Sequence, residues 1–172
     1  GAGGIGFDIS EFLVQDGHSP TLDLKEWLAE WGVTDPAEKR GGLMRPQIAP
    51  PAREVTLLQR KATGLGKGLG KTTGWIHRAT LKMKKVQMIG GVNYEAIDER
   101  GLHVTFGEKR EKPMLIEVDH IILCAGQEPL RELHQPLIDA GVSVHLIGGA
   151  DVAAELDAKR AINQGSRLAA EL

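Results

Sequence analysis

The chain has 172 residues, 41% of them hydrophobic and 26% charged, with a formal net charge of −2. That length supports one α/β domain with a packed core, or one domain plus part of another. A near-neutral balance gives no whole-chain attraction to nucleic acid or an anionic membrane, and the lone Cys124 rules out an internal disulfide or a multi-cysteine metal centre. No apolar run approaches the ~20 residues of a membrane-spanning helix, and no signal-peptide pattern is visible. A cytoplasmic, reducing setting is therefore expected.

The first element is a helix. Gly1-Ala2-Gly3-Gly4-Ile5-Gly6 forms a G-x-G-x-x-G pattern. Such a pattern normally follows a buried strand and opens a helix whose amides hold a pyrophosphate. Taken alone, it is equally a flexible glycine-rich end. Ile5, Ile9, Phe12 and Leu13 recur at helical spacing and predict a helix over 4–14 with those residues on its apolar face, stopped at Asp16-Gly17. The strand that should precede the glycines is missing, which reads as a dinucleotide-binding unit belonging to a longer protein.

Asp23-Leu24-Lys25-Glu26 has capping-box spacing and starts a second helix that carries Trp27, Leu28 and Trp31 and stops at Gly32. Residues 41–52 are rich in glycine and proline and predict an irregular connection. Residues 54–58 read as a buried strand. A simple dinucleotide fold reaches its second strand about 20 residues after the fingerprint. Here it arrives much later, so the stretch between is an insertion, read as a lid or a docking surface.

A glycine-rich loop over 63–71 leads into a helix over 73–84, with Ile76, Ala79, Thr80 and Met83 on one side. Strands are predicted at 87–89, 93–97, 102–106 and 115–118, the last leading into 121–124. The turns at Glu99-Arg100-Gly101 and Gly107-Glu108 imply an antiparallel meander. A last strand over 142–147 runs into Gly148-Gly149. The final helix is expected over 152–172, with Leu156, Ile162, Leu168 and Leu172 apolar. The predicted class is α/β, a Rossmann-like dinucleotide-binding sheet with helices and a β-meander.

Residues 55–94 carry Arg60, Lys61, Lys67, Lys71, Arg78, Lys82, Lys84 and Lys85 and no acid. For Lys82, Lys84 and Lys85 the expectation is a solvated basic helix face. Arg60 and Lys61 differ by position. At the end of the second strand an NAD site places a carboxylate on the ribose 2′-hydroxyl, whereas NADP needs cations for the 2′-phosphate. Arginine suits that task because its planar fork pairs phosphate oxygens bidentately. The reading is NADP. Lys71, close to a helix start, also suits an anion.

Gly70-Lys71-Thr72 is not a P-loop, because G-x-x-x-x-G-K-[ST] needs glycine where Leu65 stands. The six histidines include no H-x-x-x-H pair, so no metal is expected. Cys124 follows Ile121-Ile122-Leu123 and reads as buried packing, since no second cysteine exists for a redox pair. At the C-terminus, 119–126 and 144–151 each look like a strand ending in a small-residue turn. They are ordinary βα turns, or else a second phosphate site where the last helix meets a pyrophosphate and Asp151 accepts from a ribityl hydroxyl.

Several runs together resemble the C-terminal third of the bacterial 2,4-dienoyl-CoA reductase (NADPH) family, iron–sulfur flavoproteins related to old yellow enzyme. They are residues 1–8, Leu58-Gln59-Arg60-Lys61, residues 68–78, Cys124-Ala125-Gly126-Gln127-Glu128-Pro129 and Gly148-Gly149-Ala150-Asp151-Val152. The resemblance covers essentially the whole chain, and the 68–78 run is its most specific part. It implies that residues 1–117 form an NADPH-binding domain without its first strand. Residues 118–172 would be the C-terminal strand–helix segment of an FAD-binding domain. Gly1, Gly3, Gly4 and Gly6 would then face the NADPH pyrophosphate, with Arg60 and Lys61 on the 2′-phosphate and Lys71 nearby. Gly126, Gln127, Gly149, Asp151 and Val152 would line FAD.

FMN, a [4Fe–4S] cluster and the catalytic acid are implied only for a region upstream of this chain, so no catalytic residue and no metal ligand is expected here. The implied function is NADPH docking and electron entry for dienoyl-CoA reduction in fatty acid β-oxidation, the segment being inactive alone. The implied partners are the flavin barrel and FAD domain of its own polypeptide and an acyl-CoA substrate, with no nucleic acid and no membrane. An enoate reductase or an amine dehydrogenase of the same superfamily is the alternative. From a different class, a non-catalytic nucleic-acid module would show salt-sensitive duplex binding. Only Trp75 and Tyr94 supply aromatics in the basic stretch, which speaks against it.

Overall fold

A computed structural model describes residues 1–154 and 157–172. The chain divides into two compact units, Gly1–Cys124 and Ala125–Leu172. Both helical and strand segments are present, with one parallel and one antiparallel sheet, so the class is mixed α/β.

In the first unit, helix α1 spans Gly4–Val14, as its sequence spacing predicts. Its buried face is not the expected one. Phe7, Ser10 and Val14 are buried, whereas Ile5 and Phe12 are exposed. Gly6 sets this rotation: it lies so close to strand β1 (Thr56–Gln59) that a Cβ there would sit 3.3 Å from Leu57 Cδ1. Residues sharing its side of the helix therefore meet the core. Helix α2 (Leu24–Glu30) starts at Asp23, whose carboxylate accepts from the Glu26 amide at 3.0 Å, satisfying one of the orphan first-turn donors.

Residues 15–53 make a closed excursion. It leaves at the end of α1 and returns where the Ala52 amide donates to the Val14 carbonyl at 2.9 Å and Arg53 Nη1 donates to the Leu13 carbonyl at 3.1 Å. The excursion is anchored on helix α3 (Gly74–Met83). Trp31 meets Trp75 edge-on with ring centroids 6.4 Å apart, and Trp27 lies 6.3 Å from Trp31. Lys84, which closes α3, reaches Glu30 Oε1 at 3.0 Å and donates to the Ala49 carbonyl at 3.1 Å. The expectation of a solvated face over Lys82–Lys85 is thus corrected at Lys84, which is buried. A carboxylate from the excursion supplies the partner that lets a charge leave water.

Strand β1 pairs in parallel with β2 (Gln87–Gly90), Thr56 opposite Gln87 and Gln59 opposite Gly90. Helix α3 connects them, making a βαβ unit. Its core is Phe7, Val14, Leu57, Leu81 and Val86. Strands β3 (Val92–Asp98), β4 (Gly101–Phe106) and β5 (Glu111–Ile116) form the predicted antiparallel meander, with β5 beginning four residues earlier than expected. Val92, Leu102 and Val104 are its buried centre, against which Leu58 and Ile89 of the parallel pair also pack.

Two carboxylates stitch the meander. Glu95 accepts from Thr105 Oγ1 at 2.5 Å and from Arg110 Nη1 at 2.8 Å; Asp98 accepts from the Arg100 amide at 2.9 Å and faces His103 Nε2 at 2.7 Å. The Thr105 hydroxyl first, then Arg110, holds Glu95 below its ordinary 4.5, and the Arg100 amide, then His103, holds Asp98 below 3.8. Carboxyls depressed in the folded state contribute stability above their ordinary values and lose it as pH falls through the lower folded ones. Acidification from pH 5 to pH 3 should therefore lower the thermal midpoint of the first unit, and Glu95→Gln should flatten that fall. An equal fall in the variant would remove Glu95 from the account.

The strand expected over 121–124 does not form, nor does the one over 142–147. Both runs are apolar enough for a strand, but neither has a neighbouring strand among the described residues to take its backbone donors and acceptors, so no ladder closes. Leu123 is 81% exposed as a result.

The second unit holds helix α4 (His134–Asp139), a 3₁₀ turn at Gly148–Ala150 and helix α5 (Ala158–Glu171). Helix α5 begins later than the predicted residue 152. Asp157 caps it by accepting from the Arg160 amide at 2.6 Å, and the tight turn at 148–150 ends before it. The predicted apolar position Leu156 lies outside the described residues.

Candidate functional site

The opening glycines divide by role. Gly3 is the N-cap of α1 in extended conformation (φ −82°, ψ −172°) and offers no side-chain cap. A Cβ at Gly3 or Gly4 would meet nothing within 4 Å, so both residues border open space. At Gly6 the reverse holds: a Cβ would fall 1.9 Å from the Gly1 carbonyl oxygen. The first turn of α1 thus presents unpartnered amides to an open approach, while the last glycine lets the helix close on β1. Ser10 donates to the Gly6 carbonyl at 2.7 Å and is buried there, steadying that turn.

Arg60 and Lys61 follow β1 directly, and both side chains are exposed. Their main chain is fixed. Gln59 Nε2 donates to the Lys61 carbonyl at 2.9 Å and to the Thr63 carbonyl at 2.5 Å, and the Gly91 amide donates to the Lys61 carbonyl at 3.0 Å. Gly90 permits this approach, since a Cβ there would lie 3.0 Å from the Lys61 oxygen. In the sequence, Gln59 stands out only as a member of the 58–61 run, with no role of its own, and Gly90 and Gly91 carry none. The one signal available was a glycine pair at the end of a predicted strand, which marks a close backbone approach.

The glycine-rich loop continues from this point. Gly66 (φ +69°) sits against the Phe7 ring, where a Cβ would lie 2.6 Å from Cζ, and its carbonyl accepts from Arg78 Nη1 at 3.0 Å. His77 Nδ1 and Glu11 Oε1, 2.8 Å apart, tie α3 to α1. Lys71 is exposed, three residues ahead of α3. The structure thus gathers α1's glycines, the β1 terminus and the 63–71 loop around Phe7 and Leu57. The cations of the loop point to solvent, unpaired with any carboxylate among the described residues. Tyr94 of β3 joins the same neighbourhood: burial pushes its phenol up, and Arg60 draws it part of the way back.

In the second unit, Gly126 (φ +117°) and Gln127 are exposed, and Gly149 and Asp151 lie in and just after the 3₁₀ turn. Gln164 of α5 spans that turn, accepting from the Gly148 amide at 2.8 Å and donating to Asp151 Oδ2 at 2.7 Å. Arg131 Nε donates to the Ala150 carbonyl at 2.6 Å and its Nη2 to the Asp151 carbonyl; Arg160 Nη2 donates to the Val152 carbonyl at 2.5 Å. The turn is therefore rigid. The helix amides predicted to lie at Asp151 are not there, because α5 starts at Ala158. Cys124 is half-buried. Among the described residues no group of three or more His, Cys, Asp or Glu side chains could hold a metal, and no helix is long and apolar enough to cross a membrane.

No protein-family profile matches the chain. Its fold resembles part of 2-naphthoyl-CoA reductase, solved in complex with 2-naphthoyl-CoA, with a TM-score of 0.58 and 17% identity. The likeness covers 70% of this chain and 18% of that one, and at this identity it is a likeness of fold. The chain spans less than a fifth of that protein's length.

Proposed function

We propose that the first unit is a Rossmann-like NADPH-docking module and that the chain is the electron-entry portion of a flavin-dependent acyl-CoA reductase, of the 2,4-dienoyl-CoA reductase kind. The carrying observation is the fixed β1 terminus, which holds Arg60 and Lys61, unpaired with any carboxylate among the described residues, on a strand whose Leu57 meets Gly6 in the first turn of α1. The amides at Gly3, Gly4 and Ile5 suit a pyrophosphate, and Gly1 and Gly6 give it room by keeping the turn tight. Arg60 offers a planar fork to the 2′-phosphate, and Lys61 and Lys71 add point charges. In the second unit, Gly126, Gln127, Gly149, Asp151 and Val152 would meet FAD, the rigid 148–151 turn holding the Asp151 carboxylate ready to accept from a hydroxyl.

NADPH and FAD, when bound at these residues, would supply hydride transfer from the first to the second, and a [4Fe–4S] cluster and FMN would be needed beyond this chain to carry the electrons on to substrate. This chain's residues bind and orient; no acid–base step falls to them. The fold neighbour acts, by its name, on an aryl-CoA, which accords with an acyl-CoA substrate for the complete enzyme.

Arg60→Ala with Lys61→Ala should weaken NADPH relative to NADH on the order of 30-fold, at about 1 kcal/mol for each exposed charge-assisted contact. Calorimetric titration of the wild-type chain and the double variant with both nucleotides reads this. An unchanged NADPH-to-NADH ratio would discard the 2′-phosphate assignment.

A further inference from the structure

The second core brings β1 close to the meander, since Leu58 of β1 packs against the cluster formed by Val92 of β3 with Leu102 and Val104 of β4. On β3, side chains alternate, so Tyr94, two residues beyond Val92, continues that face outward; Arg60 follows directly on the end of β1 at Gln59, two residues beyond Leu58. The β3 ladder is regular over this stretch, Val92 opposite Phe106 and Tyr94 opposite Val104, and shifts register only afterwards. The junction is locked by the Gly91 amide on the Lys61 carbonyl at 3.0 Å. Glu95, next along β3, turns the other way to Thr105 and Arg110, which keeps its carboxylate off this face.

Tyr94 is 42% exposed, half covered and half open. Burial outweighs Arg60 in setting its pKa, so the phenol keeps its proton at neutral pH and is a donor. Its ring is a flat apolar surface of the kind on which a purine stacks.

We propose that Tyr94 is a specificity-determining residue that clamps a phosphorylated adenosine together with Arg60, its hydroxyl donating to the ribose phosphate and its ring lying against the base. This rests on the dinucleotide reading above and adds to it a residue that reading does not use. Two coenzymes end in this chemistry: NADPH carries 2′-phosphoadenosine and coenzyme A carries 3′-phosphoadenosine. The cations at a strand end beside a glycine-opened helix favour the 2′ form.

The test is titration of the full chain with 2′,5′-ADP, 3′,5′-ADP and 5′-AMP, repeated with Tyr94→Phe and Tyr94→Ala. The wild-type chain should bind 2′,5′-ADP most tightly. Tyr94→Phe keeps the ring and its packing, and should lower the 2′,5′-ADP to 5′-AMP affinity ratio about ten-fold, the loss of one hydrogen bond to a charged group. Tyr94→Ala should weaken every adenosine ligand. A wild-type preference for 2′,5′-ADP that Tyr94→Phe leaves intact overturns the role of Tyr94 and spares the dinucleotide reading. No wild-type preference over 5′-AMP overturns both. Tighter binding of 3′,5′-ADP transfers the site to coenzyme A and overturns the assignment.

Discussion

Lys84→Met is expected to destabilise the first unit by about 3 kcal/mol, read as a drop in the urea midpoint at unchanged slope. Lys84 and Glu30 are each roughly nine-tenths buried and meet at 3.0 Å, and the same ammonium serves the Ala49 carbonyl. Methionine fills the volume of the lysine stem but leaves Glu30 as a buried charge without a partner. The cost is that of the orphan rather than of the lost attraction. Glu30→Leu combined with Lys84→Met should therefore recover most of the loss, since a buried pair often gives way to apolar residues at little net cost. A double variant as unstable as the single one would place the cost in packing instead. The pair joins the 15–53 excursion to the end of α3, so the single variant should also expose the Val14–Ala52 seam to hydrogen exchange.

Gly101→Ala should be at least as damaging, at about 3 kcal/mol or more. Gly101 has φ +130°, a region that side chains avoid, and a Cβ there would lie 2.2 Å from the Ile116 carbonyl oxygen. That carbonyl belongs to the rung where Leu102 faces Ile116, so relief of the clash requires β4 and β5 to part. Gly107→Ala is the control. Gly107 also has positive φ (+73°) but nothing within 4 Å of its missing Cβ, so only the conformational cost of about 1 kcal/mol applies. Similar thermal midpoints for the two variants would mean that the strand pair yields more easily than its register implies.

Several of the elements read correctly from sequence are fixed by near neighbours. The Asp23 carboxylate finds the Glu26 amide three residues on, and Gly32 (φ +71°) stops the chain just past α2. Alternation and turn residues in 92–116 were enough to define a meander, because each hairpin closes locally. With distant partners the outcome is mixed: the strands read at 54–58 and 87–89 do form and pair as β1 and β2, whereas other readings failed. Ile121-Ile122-Leu123 has the composition of a strand, yet a strand exists only where a second one accepts its hydrogen bonds. Lys84 looks like its neighbours Lys82 and Lys85 in a basic run, and only the returning excursion, with Glu30, distinguishes it. The same holds at the site. Arg60 and Lys61 announce themselves by charge at a strand end, whereas Gln59 is a neutral amide whose role depends on where the chain folds back.

The row of indoles has a spectroscopic consequence. Trp27, Trp31 and Trp75 are the only tryptophans in the chain, and they stand in a row with neighbouring rings 6.3 and 6.4 Å apart. Emission should move to longer wavelength when α2 lifts from α3, because the rings lose their apolar neighbours. Excitation hops readily between rings at this spacing, so depolarisation reports their mutual orientation as well as tumbling. Intrinsic fluorescence of this protein is consequently a gauge of a single seam, between the excursion and α3, and carries no signal from the C-terminal unit.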